Sequence, residues 1–152
     1  MQNIGIQEQR KRTTMLIIGQ MIGFVFGLVF VLTDKGYSGF EFAFAIIGAP
    51  LGIAGMIRVG ILTYRFAKRI TAQKFYDAQG DCIGLVPRKG LSLTIGIISG
   101  IGSLFAVVGI GSIAPIIRYI ILPLVLILEA YLLIKDFMFL INSAKSTAED
   151  SI

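Results

Sequence analysis

The sequence predicts an all-α integral membrane protein built as a four-transmembrane-helix bundle, and three observations carry that expectation. Of 152 residues, 55% are hydrophobic and only 15% are charged. A soluble domain carries roughly 25% charged residues because its surface must be covered with them. The mean hydropathy is +0.83. The apolar residues also lie in long runs and not at the spacing of an amphipathic, water-facing helix.

A hydrocarbon core of about 30 Å needs roughly 20 apolar helical residues. Thr14 to Thr33 (14–33) forms the first such run and carries no charge. Phe42 to Tyr64 (42–64) forms the second, interrupted only by Arg58. Leu91 to Ile113 (91–113) is again uncharged, and Tyr119 to Ile141 (119–141) holds Glu129, Lys135 and Asp136. The four spans and the connecting loop 65–90 make a single membrane domain. No A-x-A cleavage pattern follows the first run at Thr33, Asp34, Lys35, Gly36 and Tyr37, so it is expected to be a retained helix.

Lys and Arg are expected to stay on the cytoplasmic side. Arg10, Lys11 and Arg12 precede the first span, and Arg65, Lys68, Arg69, Lys74, Arg88 and Lys89 lie between the second and third. The other two loops hold only Lys35 and Arg118. The bias places both termini and the central loop in the cytoplasm, and it accounts for the net charge of +5 without a nucleic-acid partner. Short outer loops and the lack of Trp and His favour a bacterial cytoplasmic membrane.

Helices in lipid associate through close backbone approach and a few polar contacts. Gly19, Gly23 and Gly27 place two GxxxG steps on the first helix, Gly48 and Gly52 one on the second, and Gly96 and Gly100 one on the third. These are the expected helix-packing residues. A tandem pair of parallel hairpins is an alternative organisation. In one ungapped register Lys11 and Arg12 fall on Arg88 and Lys89, Gly19 on Gly96, Gly23 on Gly100, and Arg58 on Lys135. That duplication would put the first and third helices at the centre.

Glu129 lies about ten residues into the fourth span, roughly 15 Å deep at 1.5 Å per residue. An ionised group there costs at least about 2.5–3.5 kcal/mol, so it must face the bundle, find a partner or stay protonated. Ser99 or Ser103 on the third helix would be a suitable partner. Because the second and fourth helices are expected to run the same way, Arg58 can meet Asp136. Arg58, Glu129, Lys135 and Asp136 form the candidate intramembrane polar site, although snorkelling to the headgroups is the plainer expectation for Arg58 and Lys135. Proline at position 123 is expected in the first turn or so of the fourth helix, where a missing N–H costs little.

Between Arg65 and Gln79, Phe66, Ile70, Phe75 and Tyr76 are interleaved with cations, as in a helix continuing into the interface. Arg65, Lys68, Arg69 and Lys74 are the candidate anionic-lipid contacts. Gly80 to Arg88 is expected to be a turn.

The absence of His excludes histidine base catalysis, and the lone Cys82 excludes an intrachain disulfide. There is no P-loop, GxSxG or metal-ligand spacing, and Asp77 with Asp81 suits a solvated loop. No enzyme and no cofactor are expected. The expected function is that of a small non-catalytic membrane protein acting through helix–helix contacts, as a subunit, a regulator or an immunity-type accessory protein. Its partners would be the lipid bilayer and another membrane protein or a second copy. The alternative is a small oligomeric transporter or channel using Glu129.

Overall fold

A computed structural model describes residues 5–113 and 115–149, with side chains described for 5–106 and 119–144. The side chain of Arg118 and those at the end of the third span lie outside the described residues. Four helices dominate: α1 (Ile6–Thr33), α2 (Phe40–Ile70), α3 (Lys89–Ile113) and α4 (Pro115–Glu149). Strands β1 (Ala72–Tyr76) and β2 (Cys82–Pro87) form an antiparallel hairpin between α2 and α3. Helices α1, α2 and, over Lys89–Ala106, α3 are long and apolar enough to cross a membrane, which marks the chain as membrane-associated.

The helices outrun the predicted spans. Helix α1 starts at Ile6, where Glu8 favours the positive end of the dipole and pairs with Arg12 one turn on. It stops at Asp34, whose carboxylate accepts the Gly36 N–H, and Gly39 at φ +54° makes the turn into α2. Helix α4 begins at Pro115, a favoured first helical position. Proline 123 therefore sits well inside the helix, not in its first turn as expected, because the sequence start had been set four residues too late.

The segment after α2 also departs from expectation. The helix ends at Ile70, and the residues beyond pair as Gln73 with Val86, Lys74 with Leu85 and Phe75 with Gly84. Lys74 thus lies on a strand, and the expected turn is confined to the tip. There the Asp77 carboxylate accepts the N–H groups of Gln79 and Asp81, and Gly80 adopts φ +88°. Local side-chain acceptance of this kind competes with helix continuation, and Gly80 supplies the left-handed residue.

Helix α2 is the centre of the packing. A Cβ on Gly19 would meet Ile61 and Ile57, one on Gly23 would meet Ile57 and the Ile53 carbonyl, and one on Gly27 would meet Pro50 and Ala49. The falling partner numbers make α1 and α2 antiparallel. On another side of α2, Gly60 abuts Gly96, Gly100 abuts the Met56 carbonyl, Thr63 bonds Ser99 and Thr71 bonds Ser92. The glycines of α1 and of α3 therefore both seat on α2. This differs from tandem hairpins with α1 and α3 central, because Gly96 and Gly100 meet α2 among the described residues. Gly48 touches Leu126 of α4 only at ordinary distance, and Gly52 has nothing within 4 Å, so Gly52 is not a packing glycine.

Candidate functional site

Helix α4 crosses the α1–α2 pair through polar groups. The series Gly48–Leu126, Gly55–Glu129 and Arg58–Asp136 rises along both helices, so α2 and α4 run in the same direction. The buried stripe of α1 is Leu16, Gln20, Gly23, Gly27 and Val31, the i, i+4, i+7 spacing of one helical face. Gln20 is its one polar member, 0% exposed, and its Nε2 donates to Glu129 Oε1 at 2.7 Å. Glu129 is 7% exposed.

Space for that carboxyl comes from α2. A Cβ on Gly55 would lie 3.4 Å from Glu129 Cγ and 3.5 Å from Oε2. One turn on, Arg58, 9% exposed, brings Nη1 to 2.9 Å from Asp136 Oδ2. The approach lacks hydrogen-bond geometry, so the pair is held by charge proximity and not by a fork. A buried pair of this kind gains little net stability but is costly to break, since the surviving charge is left desolvated.

Other expected partners fall elsewhere. Ser99 bonds Thr63 and Ser103 donates to the Gly100 carbonyl, so neither serves Glu129. Lys135 is exposed and stands apart from the Arg58–Asp136 pair. Arg65 donates to the Arg12 carbonyl, tying the end of α2 to the start of α1. The four cations expected on lipid are thus divided: Arg65 is engaged within the chain, Lys68 and Arg69 sit in the last turn of α2, and Lys74 is exposed on β1.

Gln20 is the member of this candidate site that the sequence did not single out. A search for charges passes over an amide, yet Gln20 is a strongly polar side chain in the middle of an uncharged apolar run, which is a usable signal. Its Oε1 is buried without a hydrogen-bond partner among the described residues. Chemically, the arrangement is one amide–carboxyl tie and one neutralised ion pair, both joining α4 to the helices before it.

A second feature faces outward. Between α2 and α3 runs an apolar groove of 380 Å³, with Gly60, Gly96 and Gly100 in its wall and Leu93, Ile97 and Leu104 along it. Leu93 and Leu104 lie eleven helical steps apart on α3, which gives it a length of about 16 Å. Leu93, Ile97, Ile101 and Leu104 are all exposed, so the groove opens to the side of the bundle. No protein-family model matches this chain, and no curated protein or solved structure is similar to it.

Proposed function

We propose that the chain is a non-catalytic integral membrane protein that works by lateral contact with a helix of another membrane protein. Four spans, with α4 the fourth, would cross a bacterial cytoplasmic membrane, the hairpin and both ends of the chain lying on the cytoplasmic side. The cation distribution supports this orientation, and pairing of Glu129 and Asp136 makes α4 compatible with lipid. The observation that carries the functional reading is the sideways-opening groove between α2 and α3. The glycine seams of α1 and α3 are occupied by α2, so the groove is the recess that the chain leaves to a neighbour. Helices in lipid associate by close van der Waals packing, which the exposed Leu93, Ile97, Ile101 and Leu104 along the groove would offer a neighbour.

A photo-crosslinking residue at Ile97, inside the groove, tests this against one at Leu128, exposed on α4. The expected result is a single discrete heterologous adduct from position 97 in the native membrane, lost when Ile101→Trp fills the groove. Equal, diffuse adducts from both positions refute lateral docking.

The buried Gln20–Glu129 contact favours a second reading, an oligomeric transporter or channel with Glu129 as its membrane carboxylate. Proteoliposomes holding an internal pH dye would show proton flux that Glu129→Gln abolishes while the helical signal is retained. Absence of flux from a reconstituted homo-oligomer counts against it.

A further inference from the structure

The hairpin carries an apolar surface that the bundle does not cover. Leu85 is 62% exposed and Ile83 69% exposed, and Phe75, Tyr76 and Val86 are exposed as well. Two-stranded hairpins are marginal in water even without that burden. This one is fixed to the ends of two membrane helices by single residues, Thr71 and Arg88. Its root is pinned further by the Thr71–Ser92 hydroxyl contact and by Arg88 donating to Gln73. It cannot swing far from the bilayer.

Five strand residues span about 17 Å. The polar interface on each side of a bilayer is only about 5–8 Å deep. A hairpin standing upright would therefore hold its apolar residues in water, whereas one lying flat would cover a face. The pairing puts Lys74 and Leu85 on one face and Gln73, Phe75, Gly84 and Val86 on the other, and Ile83 is the extra residue at the irregularity between Phe75 and Tyr76. The first face joins the exposed Leu85 to a cation able to reach back to phosphate, with the still more exposed Ile83 next along the strand.

Charge follows the same axis. Lys68, Arg69, Arg88 and Lys89 surround the root, while the acids Asp77 and Asp81 lie at the tip. At the root a cleft of 250 Å³ is lined by Thr71, Gln73 and Arg88, with Ile70 and Leu91 beside them. Both Ile70 and Leu91 are exposed. A guanidinium and an amide next to exposed aliphatics match a lipid, which presents phosphate and acyl chain together.

We propose that the β1–β2 hairpin is an anionic-lipid-binding element that lies on the cytoplasmic leaflet through its Lys74–Leu85 face. This rests on the membrane embedding proposed above but not on the lateral-contact function.

The chain contains no Trp, so one introduced indole reports alone. Full-length Leu85→Trp is reconstituted into phosphatidylcholine vesicles with or without phosphatidylglycerol, and emission is read with acyl-brominated lipid and with aqueous iodide. Ile98→Trp on the exposed face of α3 serves as the embedding control. The expected result is bromolipid quenching and iodide shielding of Leu85→Trp that require phosphatidylglycerol. Adding Lys74→Gln or Arg69→Gln should weaken the shielded population about fivefold for each cation removed. Free iodide access to Leu85→Trp while Ile98→Trp is quenched by bromolipid overturns the proposal alone. Shielding that ignores phosphatidylglycerol and grows with protein density overturns it in favour of hairpin pairing between copies. An unquenched Ile98→Trp overturns the embedding itself.

Discussion

Gly27→Ala is the most demanding test of the α1–α2 seam. The added methyl carbon would lie 2.6 Å from Pro50 Cα, 2.8 Å from Pro50 N and 2.9 Å from the Ala49 carbonyl oxygen. Carbon atoms pack at about 3.5–4.0 Å, so the helices must separate locally by about 1 Å or more. All three opposing atoms are backbone, so no rotamer change relieves the clash. Proline 50 is fully buried and lies inside α2, where its ring replaces an N–H donor, so the facing surface has little room to adapt. Overpacking of this kind costs about 1–3 kcal/mol. Gly52→Ala is the matched control, because nothing lies within 4 Å of its added carbon. There the substitution removes a helix-interior glycine, worth about 0.8–1.0 kcal/mol in favour of the variant in water. Gly27 is also a helix-interior glycine, so that gain is common to both variants, and Gly27→Ala should fall below Gly52→Ala by the overpacking cost alone, about 1–3 kcal/mol. Thermal unfolding in a mild detergent, followed by helical circular dichroism, ranks them directly. Equal midpoints for both variants would refute the reasoning, since they would show that the seam tolerates a side chain where backbone is in contact.

Three further substitutions address the polar ties and the hairpin. Asp136→Asn leaves Arg58 desolvated without its counter-charge and should destabilise by about 3–5 kcal/mol, whereas Arg58→Met with Asp136→Leu should recover most of the loss. Detergent unfolding of the single and double variants measures the coupling, and additive losses would count against a direct pair. Gln20→Leu removes the Nε2 donor to Glu129 and should cost about 1–3 kcal/mol in the same assay, with Gln20→Asn recovering little because the shorter side chain falls short. Gly80→Val places a β-branched residue at φ +88° and should weaken the hairpin by about 1–3 kcal/mol. Hydrogen exchange should then accelerate in 72–87 and stay unchanged in α2 and α3.

The helical segments were legible because apolar run length alone marks a helix made for lipid, and the terminal residues were not. Lys and Arg at the helix ends look like loop in a hydropathy scan, yet α1 reaches back through Arg10 and Arg12 to Ile6, and α2 runs on through Arg65 and Arg69 to Ile70. Arg58 and Asp136 could be matched from depth and direction because one helix pitch fixes both positions. Glu129's partner could not be, since neither depth nor spacing says whether α4 turns this carboxyl towards hydroxyls on α3 or an amide on α1. Choosing between them requires knowing that α4 lies against α1 and α2, a packing fact that glycine spacing does not contain. The hairpin was hidden for another reason. Phe66 and Ile70 do have helical spacing, and nothing before Asp77 marks where the period changes from 3.6 to 2.

Arg58 and Asp136 lie on the second and fourth helices, so a ribosome making this chain supplies the cation long before its counter-ion. At about 5–20 residues per second the intervening stretch takes roughly 4–16 s to synthesise. In the proposed embedding, α2 spends that interval with an arginine that has no counter-ion. Completion of α4 then acts as a timed closure that brings Asp136 to 2.9 Å from that guanidinium. Chains cut short before Asp136 would keep that arginine without its counter-charge, the chemical mark of an unfinished protein.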